Sequence, residues 1–233
     1  MLGDRADSYS ILEHQVDVTL QLEYFEYSHN HPPVADAVEL LAQEANLYLP
    51  SADAHDIRSL LVSFASIDRP EAYRVLERYL KVAPPELRDW ATMALHESRM
   101  LLESQLLEEH QVFISTGLGG RDGKLRYFVV IFPLQGNEFT PTQQRLIKTE
   151  FGTVLKNYDG DVEAITFQPG YATLTTLIPL SVAVKAPLEQ AIDECNSLGE
   201  FIQNGFIVTN VKNLTDKEIG EILNPPSAEN ENT

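Results

Sequence analysis

Few side chains in this chain have the types and spacing that chemistry needs. All six histidines, His14, His29, His31, His55, His96 and His110, fall within the first 110 residues. His29 and His31 flank Asn30 ahead of two prolines, with Glu23 and Glu26 just upstream. Imidazole and carboxylate together suit zinc and similar ions, so His29, His31 and Glu26 are the candidate metal ligands. A metalloprotease helix would carry two histidines one turn apart around a glutamate, and that pattern is absent. Histidines in a proline turn read more simply as solvent-facing loop residues, so no metal and no cofactor is expected.

Nucleophiles are equally sparse. Cys195, the single cysteine, sits on an apolar helical stripe and is flanked by Glu194 and Asp193. A reactive thiol wants an electropositive, accessible setting, so Cys195 reads as a small buried hydrophobe. With no second cysteine it cannot form an internal disulfide, which agrees with a reducing compartment. Ser115 and Thr116 lack a nucleophile elbow. Asp159, Asp161 and Glu163 gather at a helix-to-strand junction without a basic partner nearby in sequence, and read as a solvated turn.

The glycines at 117, 119, 120 and 123 invite a phosphate-loop reading, which their spacing rejects. A Walker loop ending at Gly123-Lys124 would need glycine at 118 and a hydroxyl residue at 125, and leucine occupies both. A dinucleotide loop counted from Gly117 fails at Asp122, and a strand follows where a helix should start. The segment Gln111–Pro133 reads instead as a long hairpin. Val112–Thr116 pairs with Leu125–Phe132 across a mobile tip at Arg121-Asp122-Gly123, whose residues tolerate positive φ. Arg121, Lys124 and Arg126 form the local basic cluster available for ligand or partner contact.

These residues must be positioned by two regions of different rhythm. Val16–Tyr27 alternates apolar and polar residues, which predicts a half-buried strand ending at the prolines 32 and 33. From Val34 the period becomes helical: Val34 to Tyr48, then Ile57, Leu60, Leu61, Phe64 and Ala65 after a cap signal at Ser51. Asp68-Arg69-Pro70-Glu71 opens a third helix with Ala72, Val75, Leu76, Tyr79 and Leu80 inward. Pro84-Pro85-Glu86 opens a fourth, whose stripe runs from Leu87, Trp90, Ala91 and Ala94 to Leu106.

The segment Asp68–Arg99, and APPELRDWATMALHESR within it, resembles a HEAT-type helical repeat. It has a helix, a short proline turn and an Arg88-Asp89 pair ahead of a small-residue-rich second helix. The resemblance, extended over 34–107, implies a scaffold for protein contacts and no reaction.

The rest reads strand, helix, strand, strand, helix, strand. Thr140-Pro141-Thr142-Gln143 is a capping box with proline at the first helical position. Val162–Phe167 and Tyr171–Ile178 are strands joined at Gln168-Pro169-Gly170. Pro187 opens a helix with Leu188, Ala191, Ile192, Cys195, Leu198 and Ile202 inward, and Gly205–Val211 is the last strand before a short capped helix. This order is the ferredoxin-like split motif with an extra hairpin strand. The expected fold is thus α+β: an N-terminal strand and HEAT-like helical hairpins over 1–110, a ferredoxin-like β-α-β-β-α-β sandwich over 111–223, and a disordered tail over 224–233.

Charge narrows the partners. The net charge is −18, and residues 1–110 carry 20 acidic side chains against 8 basic ones. Nucleic acid is a poor partner for such a surface, because binding draws on cations placed against phosphates. No apolar run approaches a membrane span, and the N-terminus lacks signal-peptide form, which points to the cytoplasm and away from membranes. The reading that follows is a non-catalytic interaction or regulatory protein. Its acidic helical region would contact a protein partner, and its ferredoxin-like region would form a homo-oligomer through the sheet or bind a small effector. The alternative is an enzyme with a site at the junction of the halves, drawing on His96, His110 or the histidine turn, in the last case with a metal.

Overall fold

The structure, a computed structural model, describes residues 9–107, 112–136 and 138–223 and is α+β. The chain divides into two units, Met1–Leu125 and Arg126–Thr233. The expected tail 224–233 and His110 lie outside the described residues. Among the described residues no helix is long and apolar enough to cross a membrane.

The first unit opens with β1 (Tyr9–Ile11), which pairs in parallel with β2 (Val112–Ile114) in the register Tyr9↔Val112. The expected strand at Val16–Tyr27 is instead helical: α1 spans Val18–Asn30. Asp17 decides this, because its carboxylate accepts hydrogen bonds from Thr19 N at 2.8 Å and Leu20 N at 3.4 Å, satisfying orphan donors of the first turn. The alternating apolar residues do not share a face. Leu22 is 66% exposed, while Gln21 and Tyr24, one turn apart, are the buried pair.

The residues from Val34 to Tyr48 form a short α2 (Ala37–Leu41) and a 3₁₀ turn (Glu44–Tyr48). Then α3 (Ala54–Ala65), α4 (Pro70–Val82) and α5 (Pro85–Leu107) follow at the expected places. α5 packs against α1, α3 and α4. The core it shares with them holds Phe64, Leu76, Tyr79, Trp90 and Met93, all nearly or fully buried. The buried stripe of α5 stops short of the expected end, since Leu106 is 82% exposed.

The hairpin expected between Val112–Thr116 and Leu125–Phe132 does not form. Val112–Ile114 belongs to β1, and the partner of the long strand's start is a two-residue β3 (Gly120–Arg121), which pairs with Lys124 and Leu125. The turn itself is as its residues suggest, with Asp122 at φ 52° and Gly123 at φ 74°. What redirects the chain is a close backbone approach. Gly120 N donates to Leu12 O at 2.9 Å, and a Cβ on Gly119 would lie 2.7 Å from the carbonyl oxygens of Glu13 and His14. Only glycine fits there.

The second unit takes up β4 (Lys124–Pro133) from Arg126 on, then α6 (Pro141–Asn157), β5 (Asp161–Gln168), β6 (Tyr171–Pro179), α7 (Lys185–Ser197), β7 (Ile202–Thr209) and α8 (Asp216–Leu223). Its strand order is β7-β4-β6-β5, with β7 antiparallel to β4 and β5 antiparallel to β6. The capping box forms as expected: Gln143 N donates to Thr140 Oγ1 at 3.3 Å and Thr140 N to Gln143 Oε1 at 2.8 Å. Ile147, Phe151 and Leu155 of α6, Leu188 and Ile192 of α7, and Val129 and Ile131 of β4 fill the core between helices and sheet. Cys195 is fully buried in it, and burial pushes its thiol up to about 12.

α7 ends earlier than expected. Asn196 Oδ1 accepts from Phe201 N at 3.1 Å and Ile202 N at 2.9 Å, holding the chain in a tight exit. Leu198 is therefore 60% exposed, and Ile202 is buried as a strand residue.

Candidate functional site

α5 presents Met93, His96, Glu97, Met100 and Leu101 at helical spacing along one face, and that face borders a cavity of about 770 Å³ within the first unit. Phe25 of α1, Ala65 at the end of α3, and Phe113 of β2 line it as well. The walls are mostly apolar, with two titratable side chains, His96 and Glu97, set into them. Such a volume and such a balance suit a drug-sized organic molecule.

Glu97 is the half-buried anion of the site. Tyr24 Oη donates to its Oε2 at 2.5 Å and Ser28 Oγ to its Oε1 at 2.8 Å. Both donors come from α1, so the position of the carboxylate depends on that segment being a helix. Tyr24 is fully buried and packs edge-on against Trp90 with ring centres 5.1 Å apart. Burial, and then the adjacent Glu97 charge, raises its phenol well above the ordinary value. Tyr24 therefore remains a neutral donor.

His96 is 7% exposed, and its ring lies 4.8 Å from that of Phe113. Its Nε2 and Ser10 Oγ are hydrogen-bonded at 3.3 Å. Burial first, then the charges of Arg99 and His14, push its pKa down to about 4. The imidazole is neutral at pH 7. A serine beside a histidine suggests nucleophilic catalysis, but a base titrating so far below neutrality is poorly matched to that task.

The candidate metal ligands do not gather into one set. His29 and Glu26 sit on the exposed last turns of α1, whereas His31 follows the helix and stacks on Tyr27 at 5.6 Å. Ser63 Oγ donates to Ser59 O at 3.0 Å, which leaves it to accept from His31 Nε2 at 2.8 Å. That nitrogen therefore carries a proton. Burial lowers the His31 pKa, and Glu97 acts in the opposite sense. Among the described residues no group of three or more His, Cys, Asp or Glu is arranged to hold a metal ion.

The three basic residues lie at and just after the β3–β4 turn. Arg121 and Lys124 are register partners of the β3–β4 turn, with Arg121 Nε 3.6 Å from Asp122. Arg126 belongs to the second unit, where its Nε and Nη2 donate to Glu163 at 2.5 and 3.0 Å. A register shift between Val162 and Ala164 marks a bulge at Glu163. Bulges re-aim side chains, and this one brings Glu163 to Arg126 across the intervening β6.

Of the side chains lining the cavity, sequence reasoning singled out His96 alone. Glu97, Phe25 and Phe113 escaped it, as did Tyr24 and Ser28, which hold Glu97 from α1. The available signal was Asp17, a good N-cap before Thr19 and Leu20, which would have placed Gln21, Tyr24 and Ser28 on one helical face.

No protein-family model matches the chain, and no curated protein matches it. A solved structure of a REP-associated tyrosine transposase bound to a REP hairpin is similar to part of it, with 11% identity and a TM-score of 0.34. The likeness covers 43% of this chain and 64% of that one, less than two thirds of its length. A similarity of that size carries no inference about fold or function.

Proposed function

We propose that the chain is a non-catalytic interaction or regulatory protein whose helical unit is a receptor for a small molecule with an apolar body. The observation that carries this reading is the cavity of about 770 Å³ bordered by Met93, Met100, Phe25 and Phe113. Its apolar walls with a few convergent polar groups are the usual form of a ligand site. The acidic exterior of the helical unit, with its HEAT-like pairing of α3, α4 and α5, would serve contact with a protein partner. The strand order β7-β4-β6-β5 supports a ferredoxin-like reading of the second unit. Within this order β5 stands at an edge, where it can pair with the same strand of a second copy. A cytoplasmic protein that meets neither nucleic acid nor membrane accords with this charge and sequence.

The reading is tested with N-phenyl-1-naphthylamine, a dye that is uncharged at neutral pH and brightens in apolar surroundings. Saturable binding at one site per chain is expected. Met100→Trp, which places a larger ring at the cavity wall, should weaken it by about tenfold without unfolding the chain. No saturable binding, or binding indifferent to Met100→Trp, would contradict the reading.

A further inference from the structure

We infer that the occupant of the cavity is an amphipathic cation, an apolar body bearing a protonated amine that sits against Glu97. This rests on the receptor reading above and specifies the class of ligand. The charge of Glu97 is the reason. Its two hydrogen bonds come from hydroxyl groups, Tyr24 Oη and Ser28 Oγ. These orient the carboxylate and satisfy part of its hydrogen-bonding capacity, but they bring no positive charge. Among the described residues Glu97 forms no ion pair, while other acids of the unit do: Glu23 with Arg58 at 2.9 Å and Glu13 with Arg99 at 3.4 Å.

A carboxylate set at an apolar wall and held by neutral hydroxyls favours a cation that can reach it. The nearby histidines do not supply one, because burial lowers the pKa of His96 and, against the pull of Glu97, that of His31. Arg99, one of the charges acting on His96, is turned to Glu13. A cationic ligand supplies the missing charge.

The walls favour the same choice. Phe25 and Phe113 meet edge to face with ring centres 5.3 Å apart. Aromatic faces attract ammonium groups, and methionine sulfur is soft and adapts to irregular apolar bodies. The wider field agrees, since the excess of 20 acidic over 8 basic residues in 1–110 draws cations and repels anions. A fatty acid or other anionic amphiphile would set its carboxylate beside Glu97 with no lysine or arginine among the lining residues. Like charges so placed are disfavoured.

Three probes sharing one skeleton separate these cases: 2-(biphenyl-4-yl)ethylamine, the corresponding alcohol and the corresponding carboxylic acid. Each is titrated against bound N-phenyl-1-naphthylamine at pH 7. The amine should displace the dye about tenfold more tightly than the alcohol, with the acid weakest. Glu97→Gln should reduce the amine's advantage to about twofold or less, while Glu97→Asp, which keeps the charge, should retain a preference for the amine. Should Glu97→Gln fail to fold, the comparison of probes on the natural chain still decides. Dye binding with amine and alcohol equal, with the acid tightest, or with the amine's advantage intact in Glu97→Gln would overturn the cationic assignment and leave the receptor reading standing. Absence of dye binding would overturn both.

Discussion

Glu97 of the first unit and the paired acids of the second treat charge differently. In the second, polar side chains find partners within the unit: Arg126 with Glu163, Lys212 with Glu218, and Tyr171 Oη with Asp216 at 2.5 Å. The Lys212 ammonium, helped by Thr215, holds the Glu218 carboxyl down to about 2. In the first unit, Glu97 is anchored by neutral hydroxyls at the wall of a cavity, beside a histidine that burial keeps neutral. A charge already matched by a neighbour holds a fold together. A charge held in place but unmatched is free to recognise something else, and that contrast is why function is placed on the helices.

The largest effect on this contrast should come from Trp90→Ala. Trp90 is buried against Tyr24 and Tyr27, its Nε1 donates to Arg58 O at 3.2 Å, and the Arg58 guanidinium lies 4.6 Å over its ring. Its removal should cost about 3–5 kcal/mol in urea unfolding, and should loosen the hold of α1 on Glu97. Stability should next depend on pH through His96. Its pKa is about 4 when folded against an ordinary 6.5, so between those values the unfolded chain binds the extra proton. Stability therefore falls as pH drops from 6.5 towards 4, by about 3 kcal/mol at most from this group. Ser10, Arg99, His14 and Phe113 face it, and the carboxylates nearby, Glu97 and Glu13, do not offset the lowering by burial. In His96→Gln that part of the slope should vanish; an unchanged slope would show that His96 is not held neutral.

Tyr24→Phe removes one donor to Glu97 while keeping the ring. About 1–2 kcal/mol of stability should be lost, and the affinity for a cationic probe should shift, because the carboxylate is less firmly placed. In the second unit Arg126→Ala should cost about 1 kcal/mol or less, as befits a partly exposed pair, and the loss should shrink in high salt. Smallest of all, the double change Arg121→Ala and Lys124→Ala should move stability by about 0.5 kcal/mol or less. A large loss there would make the β3–β4 turn structural.

Much of this fold is written in local rhythm. The stripes Ile57 to Ala65 and Ala72 to Tyr79, the capping box at Thr140, and the strand-helix order after Leu125 follow from periods and caps that a chain displays without its partners. What was hidden depends on distant contacts. Val112–Ile114 looks like half a hairpin until β1, from the other end of the unit's sequence, takes it in parallel. Val16–Tyr27 alternates by coincidence, and its helical state rests on Asp17 and on burial of Gln21, whose amide donates to Val16 O at 2.8 Å and Thr116 O at 3.3 Å. The site was harder still. A single glutamate on a helix reads as solvated, and only the approach of α1 shows that Glu97 is held.

Energy transfer from Trp90 tests the central claim most directly, because it is the chain's single tryptophan and lies one turn from Met93 on α5. Addition of one equivalent of N-phenyl-1-naphthylamine should quench the tryptophan emission as the dye brightens, and excess 2-(biphenyl-4-yl)ethylamine should reverse both changes. Dye that binds without taking energy from Trp90, or Trp90 emission indifferent to the dye, would contradict a receptor cavity in the helical unit.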